Sequence, residues 1–354
     1  MASTAQKNTI YSLILLVVVL SVYLWRSKTD SQESEESEVP SSGQISFSGQ
    51  TMGTTYSLTY LSETGKNLQS SVDSLLLVFN MSLSTYIPDS EISKFNRMDT
   101  LAFTLPYLPQ VLNASRTVYE NTDGAFDPTV GPLVNVWGFG PGGPELKDSA
   151  DIEVLLRLVG FDKINFDTKE IRKTVPGVYL DFSAIAKGQG VDVIADFLTT
   201  RGIKNFLVEI GGELVASGVN ENGELWKVGI NRPDESASAS DLYSIIALED
   251  RGMATSGNYR NYYIKDQVKI SHTINPATGY PVNHSLLSAT VLAKDCMTAD
   301  AYATALMVMG VERAIQLDSA LSEIEVFLIY GDGKGGYATF ASESLKPYLS
   351  FIQE

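Results

Sequence analysis

Apolar positions along the chain change character at two points. An almost unbroken apolar run, Ile10 to Trp25 (IYSLILLVVVLSVYLW), gives way to a polar stretch, Thr29 to Gln44 (TDSQESEESEVPSSGQ). From residue 45 onward the pattern is that of a folded domain. Runs rich in Thr, Tyr and Ser predict a strand pair over 45–50 and 54–60, broken at Met52-Gly53. Apolar spacings of three and four predict helices over 68–83, 108–121 and 152–159, the last entered from Ser149 or Asp151. Short β-type segments surround Ile164 and residues 178–180, and a helix over about 184–200 is bounded by Gly202. Strand patterns then dominate at 206–210, 213–217, 226–230, 243–248, 253–256 and 288–293. A helix near 297–309 ends at Gly310, another covers 312–317, and a late strand covers 325–329. Helices come in blocks rather than in alternation with strands. The expected class is α+β, with largely antiparallel sheets and helices packed against them.

The opening run predicts a segment outside this domain. A run of sixteen residues is long for a signal-peptide core and marginal for a membrane span. No small-x-small cleavage site follows, so residues 1–28 are read as an uncleaved anchor in preference to a cleaved signal. Lys7 before the run and Arg26 and Lys28 after it leave orientation undecided. Residues 29–44 form an acidic, Ser-rich tether, and 45–354 a single domain without a clean internal boundary.

Composition narrows the chemistry. One cysteine and two histidines in 354 residues exclude an internal disulfide and Cys-rich zinc sites. The sole cysteine, Cys296, lies too far downstream to be a lipidated residue. A net charge of −16 argues against nucleic acid as a partner, because phosphate neutralisation needs clustered Lys and Arg. Metal chemistry here would have to use oxygen ligands.

Several stretches carry candidate chemistry. Residues 122–140 (TDGAFDPTVGPLVNVWGFG) combine Gly and Pro with Phe126, Trp137 and Phe139, which fits either a buried ligand-binding loop or a core loop that only packs. Residues 180–191 (LDFSAIAKGQGV) put Asp181 after a strand and Lys187 inside a helix start. This suits a phosphate, although Asp181 or Ser183 could simply cap the helix. Asp300 and Thr304 are four apart on one helix face and could offer oxygens to Mg²⁺ or Ca²⁺. The alternative is that Asp300 favours the helix dipole and Thr304 bonds back along the helix. His272 stands where a strand meets a turn, as a catalytic or a structural imidazole. Gly211-Gly212 and residues 255–258 are small-residue turns that phosphates could approach.

Taken in order, TMGTTY, STYIPDSEISKFN, DGAFDPTVGPLVNVWGFG, LDFSAIAKGQGVD, VEIGGE, TSGNY, SHTINPATGYPV and MTADAYATALMVMG resemble the ApbE family of FAD:protein FMN transferases across essentially all of 45–354. The resemblance implies a Mg²⁺-dependent enzyme that splits the pyrophosphate of FAD. It implies transfer of FMN to a Thr or Ser hydroxyl of a flavin-carrying subunit of a membrane redox complex, with release of AMP. It also implies that Met52, Tyr86, Ala125, Phe126, Asp127, Asp181, Lys187, Thr273 and Ile274 line the FAD site. The metal would be held by the Ala184 carbonyl and the side chains of Asp300 and Thr304. His272 matches the family histidine implicated in catalysis, and Asp300 could share the base role. An anchored, extracytoplasmic protein on the periplasmic side of a bacterial inner membrane is expected. Two other functions stay open: a pyrophosphatase giving free FMN and AMP, and a tethered FAD-binding protein without catalysis.

Overall fold

The computed structural model describes residues 43–140, 149–234, 238, 241–259, 262–265 and 268–352. The expected anchor, the tether as far as residue 42 and part of the glycine-rich GFGPGGP stretch lie outside the described residues. Among the described residues no helix is long and apolar enough to cross a membrane. Gly43–Ser62 and Asn67–Glu354 form one compact unit.

The unit opens with the antiparallel hairpin β1 (Gly43–Thr51) and β2 (Thr54–Ser62), so the first strand starts two residues inside the stretch read as tether. Met52 (φ 49°) and Gly53 (φ 73°) both take positive φ, as a two-residue hairpin loop with right-handed strand twist requires. Helices α1 (Gln69–Leu83) and α2 (Glu91–Arg97) follow, then β3 (Thr100–Ala102), α3 (Tyr107–Asn121), α4 (Gly131–Val136) and α5 (Ser149–Leu156). Next come β4 (Ile164–Phe166), β5 (Glu170–Lys173) and α6 (Ala186–Thr199). Strands β6 (Phe206–Ile210), β7 (Glu213–Ser217), β8 (Trp226–Asn231), β9 (Leu242–Leu248), β10 (Arg251–Gly257), β11 (Tyr262–Lys265), β12 (Val268–Ser271) and β13 (Leu286–Ala293) form the middle of the chain. Helices α7 (Cys296–Met309) and α8 (Val311–Ala320) precede β14 (Ile324–Gly331), β15 (Tyr337–Ala341) and β16 (Leu349–Phe351).

Eight strands pair in the order β1-β2-β6-β7-β10-β13-β14-β15, every pairing antiparallel. Alternation within a strand decides which layer each side chain joins. On β14, Ile324, Val326 and Leu328 face the helices α3, α7 and α8, while Phe327 and Ile329 face the smaller sheet β16-β9-β8. At β13 and β14 both faces of the large sheet are therefore covered, which explains why these two strands read as nearly continuous apolar runs, while β2 keeps one exposed face. The α+β expectation with antiparallel sheets holds.

Two local expectations need correction. Residues 178–180 are not a strand but irregular backbone, buried because of their Val and Leu side chains. Asn96 stands in for a strand partner there: its Oδ1 accepts from Leu180 N at 2.8 Å and its Nδ2 donates to Leu180 O at 2.9 Å. Residues 131–136, read as loop, form α4. Pro132 falls in its first turn, where a missing N–H costs nothing.

Candidate functional site

Three parts of the fold meet around one cleft of about 790 Å³. The first is the loop after α3. Thr122 Oγ1 accepts from Phe126 N at 3.2 Å and donates to Val118 O at 2.6 Å, which closes the loop onto the helix end. Asp127 then caps a short 3₁₀ turn, its Oδ1 accepting from Thr129 N at 2.8 Å and Thr129 Oγ1 at 2.6 Å. Ala125, Phe126 and Asp127 line the cleft from this loop. Burial pushes the Asp127 carboxyl up to about 6, against the two Thr129 bonds that favour its charge.

The second part is the entry to α6. Asp181 Oδ1 accepts from Ser183 N at 2.8 Å, a turn that leads the chain toward the helix start at Ala186. Asp181, Ala184 and Lys187 all line the cleft. Neither Asp181 nor Ser183 caps the helix, because the residue before α6 is Ile185 and it makes no side-chain cap.

The third part is formed by the sheet end and α7. The β6–β7 hairpin turns on Gly211 (φ 62°) and Gly212 (φ 106°), which puts Glu213 at the first position of β7. Glu213 Oε1 takes the Lys187 ammonium at 2.8 Å. Asp300 is 4% exposed, and its Oδ2 accepts from Gly188 N at 3.0 Å. Thr304 follows one turn later on the same helix and also lines the cleft. His272, Thr273 and Ile274 also line the cleft, with the His272 ring set edge-on to Phe139 at 6.2 Å between centroids.

Of the residues implied by the resemblance, Ala125, Phe126, Asp127, Asp181, Ala184, Lys187, His272, Thr273, Ile274, Asp300 and Thr304 share this cleft. Met52 and Tyr86 are not on its wall. Met52 lies over α6, where a Cβ on Gly190 would come within 2.6 Å of its Cε, and Tyr86 is 70% exposed after α1. Sequence reasoning missed Glu213, although it directly follows the Gly211-Gly212 turn. Lys227 and Asn231 of β8, and Glu209 of β6, also line the cleft.

Carboxyls outnumber ammonium groups along the cleft. Burial pushes the carboxyls of Asp300 and Glu213 up, Glu213 to about 7, while the shared Lys187 pulls both down. Burial disfavours the Lys187 charge, but Asp300 and Glu213 outweigh it and hold the ammonium above its usual range. Two buried carboxylates thus share one ammonium, and Glu213 Oε2 is buried with no hydrogen-bond partner. A cation beside them would favour the charged form of both carboxyls. Among the described residues no three His, Cys, Asp or Glu side chains converge as a metal centre. A cation here would draw on the Ala184 carbonyl and the Thr304 hydroxyl beside Asp300, and such an all-oxygen set fits Mg²⁺.

An antiparallel sheet with helices on one face and a smaller sheet against part of the other, ending in a cleft lined by carboxyls and lysines, defines the class as α+β. The ApbE family pattern matches residues 52–328. An FAD:protein FMN transferase from Vibrio cholerae serotype O1 is 43% identical over 316 residues, covering 87% of this chain and 93% of that one. Its counterpart from Haemophilus influenzae is 38% identical over 316 residues, covering 85% and 90%. Among solved structures, the flavin transferase ApbE from Vibrio cholerae superposes with a TM-score of 0.78 at 38% identity, covering 87% of this chain and all of that one. The apo Pseudomonas stutzeri flavinyl transferase ApbE does so with a TM-score of 0.78 at 33% identity, over 87% and 97%. The chain belongs to the ApbE family.

Proposed function

We propose that the chain transfers FMN from FAD to a Thr or Ser hydroxyl of an acceptor protein, releasing AMP. The observation that carries this reading is the Asp300–Lys187–Glu213 group, its two carboxyls buried, lining one cleft with Ala184 and Thr304 that is roomy enough for a dinucleotide. Relatives at 43% and 38% identity bear the transferase name.

When bound, Mg²⁺ would supply Lewis-acid stabilisation of the pyrophosphate oxygens. The chain's own residues supply the rest. Asp300, Thr304 and the Ala184 carbonyl would hold the cation. Lys187, kept charged by its two carboxylates, faces the phosphates and offsets the negative charge that builds as the bond breaks. The acceptor hydroxyl oxygen forms a bond to the FMN-side phosphorus. The bond from that phosphorus to the bridging oxygen breaks, and the electron pair leaves with AMP. His272 takes the hydroxyl proton at a ring nitrogen, with Asp300 as the alternative acceptor. Phe126 offers an apolar wall for the flavin ring. The acceptor is taken to be a flavin-carrying subunit of a membrane electron-transfer complex. The Ile10–Trp25 run is taken to anchor the enzyme, with its domain on the periplasmic side of a bacterial inner membrane.

The test is incubation of the full chain with FAD, Mg²⁺ and a candidate acceptor subunit, followed by intact-mass spectrometry and nucleotide analysis. Gain of one FMN by the acceptor together with AMP supports transfer. Free FMN with an unmodified acceptor supports hydrolysis. FAD that stays intact with Mg²⁺ and acceptor both present sinks the catalytic reading. Asp300→Ala should abolish the Mg²⁺-dependent reaction, and His272→Ala should bind FAD while losing transfer.

A further inference from the structure

The first turn of α7 is held by two carboxylates from different elements. Asp295, directly before the helix, accepts from Thr298 N at 2.8 Å through its side chain and from Ala299 N at 3.3 Å through its carbonyl. The two remaining free amides leave the helix altogether. Cys296 N donates to Asp192 Oδ1 and Met297 N to Asp192 Oδ2, each at 2.8 Å. Asp192 belongs to α6, four residues after Gly188, so the two share a face. That face therefore makes two ties to α7: the Asp192 carboxylate to its start, and Gly188 N to Asp300 Oδ2 at 3.0 Å.

Packing at this joint leaves little room. A Cβ on Gly188 would lie 2.4 Å from Cys296 O, and one on Gly252 of β10 would lie 2.3 Å from Cys296 N. The start of α7 is thus wedged between a helix backbone and a strand backbone. An N-cap supplied by the helix itself stabilises the helix but does not say where it sits along its axis. A cap supplied by a neighbouring helix does both. Slippage by one residue moves a helix about 1.5 Å along its axis, whereas a preorganised site tolerates roughly 0.5 Å.

We propose that Asp192 is a positioning residue for the cation site. By taking both leading amides of α7, it sets the register of that helix against α6. It thereby sets the distance of Asp300 and Thr304 from Ala184 and Lys187, which lie just before and within α6. This inference rests on the divalent-cation reading given above. Loss of a partner that orients a metal ligand costs on the order of tenfold or more in metal affinity.

The test uses the full chain and Mn²⁺ alone as a spectroscopic stand-in, read by electron paramagnetic resonance. Mg²⁺ titrations of FAD cleavage and thermal melts are run beside it. Asp192→Asn keeps one acceptor and turns an amide N–H₂ toward the other backbone N–H. It should weaken Mn²⁺ about tenfold and raise the half-saturating Mg²⁺ equally, with KM for FAD within about twofold and kcat recovered at saturating Mg²⁺. Asp295→Ala removes the helix's own cap and serves as the comparison; it should lower Tm while leaving Mn²⁺ affinity within about twofold. Asp192→Glu retains the carboxylate on a longer arm; with a Tm near the parent's it should still weaken Mn²⁺ severalfold. The inference is overturned if Asp192→Asn and Asp295→Ala shift Mn²⁺ affinity alike, or if Asp192→Glu binds Mn²⁺ as the parent does. Asp300→Ala separates the two claims. Unaltered Mn²⁺ binding in that variant removes the cation reading itself, whatever Asp192 does.

Discussion

Asp127→Asn should make the protein more stable at neutral pH, and the gain should vanish in acid. Both hydrogen bonds to this side chain, from Thr129 N and Thr129 Oγ1, end on Oδ1. An asparagine Oδ1 can accept both, so the capped turn is retained while the buried charge disappears. Burial holds the native carboxyl at about 6 against an ordinary 3.8, despite the opposing bonds from Thr129 and the field of Lys163. The folded chain therefore holds this proton more tightly than the unfolded chain does. Its stability contribution is complete below about pH 4 and is lost as pH rises through about 6. The gap between 3.8 and about 6 corresponds to roughly 3 kcal/mol, an upper limit because the asparagine N–H₂ needs an acceptor of its own. Urea unfolding of parent and variant, followed from pH 4 to pH 8, reads the difference directly. It should be near zero at pH 4, half developed near pH 5 and flat above about pH 7. Parallel curves across that range would refute the claim that burial dominates at Asp127.

Two further expectations concern buried joints of the fold. Glu91 is buried and accepts from Ser82 Oγ at 2.6 Å, Thr104 N at 2.7 Å, Thr104 Oγ1 at 2.8 Å and Leu105 N at 3.0 Å. Glu91→Ala leaves these donors without their acceptor and should cost about 3 kcal/mol or more in urea unfolding; a loss below about 1 kcal/mol would mean that water replaces the carboxylate. Gly188→Ala adds a methyl 2.4 Å from Cys296 O, forcing α6 and α7 apart. FAD cleavage should fall more than tenfold together with Tm, and parental turnover in that variant would show that the joint is slack.

Much of the architecture was legible because alternation and turn chemistry agreed. Strands β6 and β7 were bounded correctly to the residue, since apolar alternation on either side met Gly211-Gly212 at the turn. Segment 178–180 was misread because burial, not pairing, selects Val178 and Leu180; the Asn96 amide that satisfies the Leu180 backbone lies 84 residues away. Helix α2 escaped notice because seven residues give too little periodicity, although Ser90, whose hydroxyl accepts from Ser93 N at 3.1 Å, was a start signal in plain view. At the site, the motifs named most residues that converge on the cleft, but not the pairing among them. Nothing in the string GGE tells that Glu213 meets Lys187, because that depends on how a hairpin end is set against a helix start. Asp192 was invisible as a tie for the same reason: its partners are backbone amides more than a hundred positions away.

The placement of Cys296 has a practical side. Its thiol is buried, with Sγ 3.5 Å from Met253 O, and burial among Asp192, Asp300 and Glu213 holds it well above the usual thiol range. A thiol so protonated and so enclosed is a poor nucleophile toward alkylating probes. A cysteine introduced on an exposed face, such as at Leu77 of α1, would be the one reactive thiol among the described residues. Maleimide dyes or spin labels could then be attached without first removing the native residue from the α6–α7 joint, where even a small change of volume would disturb the parts one wishes to watch.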